Sequence, residues 1–262
     1  MKQTFPKIYK GIFFTVLLLL SACDNDENDL APIPAPDPTA CALVRITEGK
    51  AVTDFNYDAQ GYITNIVEND GANFSKKETV YTYDTNRQVI RSDYFYDNYP
   101  DITNSPTHTV YTYTNGLVSR VEHYYSDDSV MLEEAFMYDL NGRIEKITNS
   151  SGSTTTFAYN TESNITEMLI EGDEKIKVEY EKYDNNKTPF SAANGYLNLF
   201  NNSANNPGFS TTMQRLDGED KMITNSDFRY EYNELDLPTR IEKHQDNGFG
   251  PVIITIYTYN CK

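Results

Sequence analysis

The stretch DYFYDNYPD, residues 93–101, places four rings, Tyr94, Phe95, Tyr96 and Tyr99, among Asp93, Asp97, Asn98 and Asp101. Amphipathic rings beside carboxylates and amides are how proteins stack on a sugar or grip a peptide. Tyr94, Phe95, Tyr96 and Tyr99 are therefore the candidate ligand-binding residues, on a long connection that Pro100 and Pro106 keep from being a central strand. The same rings would equally continue an aromatic core face. Other chemistry is sparse. His108, His123 and His244 form no H-E-x-x-H pair and no zinc spacing; His123 reads as a strand residue and His244 as a turn entry. There is no G-x-S-x-G elbow, no G-x-G-x-x-G and no phosphate loop. With 39 acidic residues, some carboxylate pair always falls at glycosidase distance, which is abundance and not a signal. DNYPDITNSP and YSDDS group oxygen ligands without a calcium-loop spacing. No catalytic residue, metal or cofactor is implied. The expectation is a non-catalytic binding or assembly module for a glycan or protein ligand; the alternative is a glycan hydrolase or lyase using acids in the mouth of a sheet.

The elements that would position these residues are written in a repeated phrase. FNYDAQGYITNI at 55 returns as YTYDTNRQVI at 81, YTYTNGLVSRV at 111, FMYDLNGRIEKI at 136, FAYNTESNITEM at 157 and YEYNELDLPTRI at 230. Before each turn aromatics alternate with small or polar residues, as in Tyr81-Thr82-Tyr83, the period of a strand with one buried face. The turn then supplies an Asp or Asn for an Asx bond and a residue suited to positive φ: Gly61, Gly116, Gly142. After the turn apolar residues sit three apart: Ile63 and Ile66, Val118 and Val121, Ile144 and Ile147. A flat strand would send such a pair to opposite faces. The offset predicts a β-bulge, or a first residue that closes the turn before the strand proper. The unit is a hairpin, and its tyrosines at 57, 83, 113, 138, 159 and 183 recur 21 to 30 residues apart before 232 and 259 resume the beat. One hairpin cannot bury its aromatic face alone, so the units are expected to stack edge to edge into one sheet.

The N-terminal segment has a different character. Lys2, Lys7 and Lys10 precede the apolar run IFFTVLLLL, which is too short to span a bilayer. It runs into LSAC, Leu20–Cys23, which resembles the lipobox of bacterial lipoproteins. The resemblance implies a signal peptide over 1–22 and acylation of Cys23 as the first mature residue; several acyl chains make a lasting anchor. Residues 23–40 form an acidic, Pro-rich tether, whose head resembles the surface-export signal of Bacteroidota lipoproteins. That implies an outer-membrane lipoprotein exposed at the cell surface, with a periplasm-facing one as the alternative. Losing residues 1–22 removes three lysines and no acid, leaving 19 basic against 39 acidic residues and a net charge of −20. Such a charge argues against nucleic acid and anionic lipid as partners, so membrane contact is expected through the anchor only, and the chain is expected to be a monomer.

YDAQGYITNI and YDLNGRIEKI resemble the tyrosine–aspartate repeats of RHS-type proteins. With the lipobox, residues 41–262 are similar to a Bacteroidota lipoprotein family of unknown function with a porin-like β fold. Thr114, Arg87, Ser163 and the turn Leu235–Pro238 depart from the motif. Eight units are too few for the enclosing shell of RHS proteins, so only hairpin geometry is implied. The fold expected is all-β: one large curled antiparallel meander of hairpin repeats, a closed or nearly closed barrel. A flat sheet of about 14 strands would be on the order of 60 Å wide, whereas a disulfide needs Cα atoms within about 7 Å. If Cys41 and Cys261 pair, as their place in an oxidising compartment suggests, the sheet must curl until its edges meet; the alternative is two free thiols. The rhythm breaks at 187–209. There Ser191 to Phe200 is expected to form one short helical insertion with Tyr196, Leu197 and Phe200 on one face, plugging or capping the sheet. A true membrane barrel fits worst, because Thr, Arg, Glu and Lys stand opposite the aromatics.

Overall fold

The structure is a computed structural model that describes residues 41–71, 75–98, 105–172, 174–193, 203–216, 219–248 and 250–261. The expected signal peptide, Cys23 and the expected tether lie outside the described residues, as do Tyr99 and the expected helical face of Tyr196, Leu197 and Phe200. Sixteen strands follow in chain order among the described residues. They are β1 (Ala42–Glu48), β2 (Ala51–Tyr57), β3 (Ile63–Asn69), β4 (Lys76–Tyr83), β5 (Val89–Asp97) and β6 (His108–Thr114). Next come β7 (Leu117–Tyr124), β8 (Val130–Tyr138), β9 (Ile144–Asn149), β10 (Thr154–Tyr159) and β11 (Ile165–Glu171). The last are β12 (Lys175–Glu181), β13 (Phe209–Leu216), β14 (Glu219–Tyr232), β15 (Pro238–Gln245) and β16 (Val252–Asn260). Each pairs antiparallel with its sequence neighbours and β1 pairs with β16, so the meander is a closed barrel. Closure gives every described strand a neighbour on both sides, so the sheet has no edge strand among the described residues. Sixteen strands replace the fourteen expected because every tyrosine position, including the interrupted one, contributes two.

The repeated phrase explains the wall in detail. In five turns the Asp or Asn after the tyrosine accepts two backbone N–H bonds: Asp58 from Gln60 and Tyr62, Asp139 from Asn141 and Arg143, and likewise Asp84, Asn160 and Asn233. The fourth turn position has positive φ whether it is Gly61 and Gly142 or Arg87, Ser163 and Asp236. Asn115-Gly116 makes a sixth turn, with φ positive at both residues, the two-residue hairpin form. A bulge then follows. Tyr57 faces Ile63 while Asn56 faces Asn65, which leaves Thr64 over; Tyr83, Tyr113, Tyr138, Tyr159 and Tyr232 show the same slip. The three-residue offset of the apolar pairs is this bulge, which turns both members inward.

Inside, Val118, Val121, Phe136, Ile144, Ile147, Phe157 and Ile165 form one buried cluster, and Leu43, Phe55, Ile63, Ile66 and Ala193 a second. Outward residues carry ion pairs instead: Arg45–Asp54, Arg91–Asp93, Arg120 with Glu122 and Glu133, and Lys177 with Glu167 and Glu179. Residues 184–208 stand where the β12–β13 turn would be. Among the described residues of this segment Pro189–Ala192 is a helical turn, with Pro189 suited to its first position. It overlaps the start of the expected Ser191–Phe200, most of which lies outside the described residues. Phe190 and Ala193 pack into the second cluster, so this described part of the insertion reaches into the barrel. Cys41 and Cys261 are disulfide-bonded with Cα atoms 4.0 Å apart.

Candidate functional site

Two arrangements of side chains stand out on the inner face. The first is a ring of tyrosine hydroxyls at the end of the barrel that carries the repeated turns. Tyr83 donates to the Ile63 carbonyl (2.6 Å), Tyr113 to Val89 (2.9 Å), Tyr138 to Val118 (2.7 Å) and Tyr159 to Ile144 (2.8 Å). Each acceptor is the first buried strand residue after the previous hairpin's turn. Tyr57 to Leu43, Tyr183 to Ile165 and Tyr259 to Pro238 continue the rule. A bulge disrupts the ladder locally, and the phenol supplies a donor there. Burial pushes the Tyr138 and Tyr183 hydroxyls up to about 12 and raises those of Tyr57, Tyr83, Tyr113 and Tyr259 as well. These phenols stay neutral donors and are structural.

The second arrangement lies toward the other end, on β2 to β5. Extending the inward alternation back from Tyr83 and Tyr81 reaches Thr79 and Lys77; across β3 it reaches Ile66 and Glu68, and across β5 Tyr94. These residues, with Thr53, Phe55 and Phe190 of the insertion, line an interior cavity of about 270 Å³. Lys77 Nζ bonds Glu68 Oε2 at 2.9 Å and lies 5.2 Å from the centre of the Tyr94 ring. Burial pulls the Lys77 ammonium down, but the Glu68 charge and hydrogen bond, with Tyr94 and Tyr96, outweigh it and hold the ammonium above its ordinary value. The Tyr94 hydroxyl is itself held by Ser92 (3.0 Å) and Thr109 (2.9 Å). From Thr109 the chain of bonds runs to His123 Nδ1 (2.8 Å), and from His123 Nε2 to Glu134 (3.3 Å). Acid, imidazole and hydroxyl in that order resemble a hydrolase relay, but Thr109 is 0% exposed, so no substrate can meet its oxygen.

The expected placement of the candidate ligand residues is corrected. Tyr94, Phe95 and Tyr96 are not on a connection over the rim; they belong to β5, which runs nine residues, to Asp97 opposite Lys76. Alternation therefore splits them. Tyr94 and Tyr96 face inward, and the Tyr96 hydroxyl donates to the Pro106 carbonyl (2.9 Å); Phe95 faces outward, 59% exposed. His244 lies beside Glu242 (3.0 Å) at the end of β15, where the strand enters the turn Asp246–Gly248, and His108 stacks on Tyr124 with ring centres 4.7 Å apart. The reading missed Glu68, Lys77 and Phe190. The first two carried a signal: charges at positions whose parity is that of the core.

Among known proteins, residues 138–173, the hairpins of Tyr138 and Tyr159, match the model of the RHS Repeat family. No curated protein matches the chain. Among solved structures, a porin-like protein from Bacteroides uniformis ATCC 8492 is 11% identical with a TM-score of 0.54, covering 85% of this chain and 96% of that one. A porin-like protein from Bacteroides vulgatus ATCC 8482 is 13% identical with a TM-score of 0.53, covering 84% and 99%. At such identities the likeness is one of fold, a porin-like β-barrel, with the RHS match confined to residues 138–173.

Proposed function

We propose that this chain is a non-catalytic binding or assembly module of a bacterial cell envelope, held by lipid on Cys23 through the 23–40 tether. The observation that carries the reading is the distribution of polarity over a closed barrel. The outer wall bears ion pairs at mid-strand, as between Arg120 and Glu133 (2.7 Å), where a lipid-facing wall would pay several kcal/mol per charge at the bilayer midplane. The inner wall is aromatic, packs Phe190 against it and lines a cavity on β2 to β5. A domain of this kind belongs in water beside the membrane, with its anchor elsewhere in the chain. The ligand is a glycan or protein, and the acidic balance favours a neutral or cationic one over a sulfated or uronic one. Fractionation of Cys23→Ala tests the anchor: the variant is expected in the soluble fraction, and retention on membranes in high salt would overturn the lipid reading. A glycan array and a crosslinking pull-down on the same soluble variant test the binding role.

A further inference from the structure

We propose that the interior cavity between β2 and β5 is a binding site for a single neutral sugar residue, either free or at the end of a glycan. The inference rests on the binding-module reading and names the place and the ligand class within it. Size comes first. A cavity of about 270 Å³ holds one pyranose ring and is too small for an extended oligosaccharide or a folded partner.

The wall chemistry then selects among small molecules. Tyr94 cannot act mainly through its hydroxyl, which Ser92 and Thr109 already engage. What it offers the cavity is ring surface beside the Lys77 ammonium, which lies 5.2 Å from the ring centre, held in place by the bonds that run on through His123 to Glu134. A fixed ring can stack on the apolar face of a sugar with little loss of side-chain entropy. Phe190, carried in by the insertion, supplies a second apolar wall. Glu68 and Lys77 supply the polar side. Their contact occupies one carboxylate oxygen and one ammonium proton. A carboxylate has about four acceptor sites and an ammonium three donors, so the pair can both accept from and donate to neighbouring hydroxyls. Vicinal sugar hydroxyls, each donor and acceptor at once, match that pair. An anion would meet Glu68 and the acidic field of the whole chain, and a cation would meet Lys77. A neutral polyol meets neither penalty.

Saturation-transfer NMR and calorimetry on the lipid-free protein, with the methyl glycosides of glucose, galactose, mannose and N-acetylglucosamine as probes, test the site. At least one probe is expected to bind with a Kd on the order of 1 mM or tighter. Glu68→Gln and Tyr94→Leu are each expected to weaken it about tenfold or more, while Tyr94→Phe, which keeps the ring face, retains most of the affinity. Because Tyr94→Leu can disturb the wall, a second measurement uses the unaltered protein: the bound glycoside is expected to slow acetylation of Lys77, read by peptide mass spectrometry. Undiminished binding in Glu68→Gln with no protection of Lys77 would overturn the interior site. So would a glycan-array signal that no monosaccharide competes for, although the module reading would then survive. Silence in the array, the pull-down and the monosaccharide series would overturn both.

Discussion

Six tyrosine positions of the barrel are followed by a peptide turn, and two are not: after Tyr183 comes the 184–208 insertion, and after Tyr259 the disulfide to Cys41. The two exceptions behave differently. Across the disulfide, β1 acts as the return strand of β16. Leu43 faces Tyr259, Arg45 faces Thr258, and Val44 is left over, the same bulge that follows the six repeated turns. The next tyrosine, Tyr57, accordingly finds the Leu43 carbonyl at 2.6 Å. Across the insertion, β12 and β13 pair without a slip, and the next tyrosine in line, Tyr232, donates to the Asp184 carboxylate instead. Asp184 is in turn held by the Asn186 and Asn206 backbone N–H groups (3.0 and 3.2 Å). A turn is thus replaceable where the bulged start of the return strand survives. Where it is lost, a side chain from the insertion must provide the acceptor.

Alkali strikes all the tyrosines at once and should have the largest effect. Burial pushes Tyr138, Tyr183 and Tyr257 up to about 12 from 10.0. A folded-state pKa above the unfolded one means that the stabilisation is complete below about pH 10 and is lost as pH climbs through 12. Denaturation midpoints should be flat up to about pH 10 and fall steeply beyond, with tyrosinate absorbance rising in step with unfolding. Ionisation of the phenols in a still-folded barrel would show that the ring of hydroxyls is open to water. The disulfide comes next. Closing a loop of this separation, 220 residues, stabilises by roughly 5 kcal/mol at most in the chain-entropy account. The double change Cys41→Ser with Cys261→Ser should lower stability by a large part of that, and intact mass with and without reductant checks the bond in the native protein. Two thiols in native protein would remove the covalent substitute for the turn.

Single tyrosines separate the insertion from the ordinary hairpins. Tyr138→Ala should cost about 3 kcal/mol or more through lost burial, and Thr82→Ala, exposed on the outer wall, well under half of that. Tyr138→Phe removes only the bond to the Val118 carbonyl and should cost about 1 kcal/mol. Tyr232→Phe removes a bond to a carboxylate and should cost about 1.5–3 kcal/mol. Denaturant titration of the four variants reads the differences. Equal costs at 138 and 232 would mean that Asp184 is no more than another carbonyl.

What could be read from the chain followed the range of the interaction. The Asx turn at Asp139, the positive φ at Gly142 and the bulge between Ile144 and Ile147 all lie within a dozen residues and leave a local pattern. The Cys41–Cys261 bond was legible because closure is a global constraint that two cysteines can state. The interior site was not legible. Glu68 meets Lys77 only through the β3–β4 register, and Phe190 reaches Phe55 and Ile66 only because the insertion folds back into the barrel. Tyr94, Phe95 and Tyr96 misled for a local reason: the following prolines suggested that the strand had ended, whereas Asp97 still pairs with Lys76.

The smallest effects belong to the fourth turn position, where five hairpins of the same geometry carry different residues. Gly61 and Gly142 meet φ values of 85° and 74° without a side chain, while Arg87, Ser163 and Asp236 hold 64°, 66° and 60° with one. A left-handed backbone costs an L-residue about 1–2 kcal/mol, and glycine gives back about 0.4–1 kcal/mol through its freer unfolded chain. Gly142→Ala, with open space where the new Cβ would sit, should therefore lose about 1 kcal/mol from the backbone alone. Asp236→Gly should gain a similar or smaller amount. Arg87→Gly should gain nothing, because the Arg87 side chain bonds Asp58 (3.3 Å) and stacks on the Tyr62 ring (4.9 Å). Midpoints from chemical denaturation order the three. If Asp236→Gly destabilised as Gly142→Ala does, positive φ would not be what these turns have in common, and the equivalence of the five hairpins would fail at its least protected point.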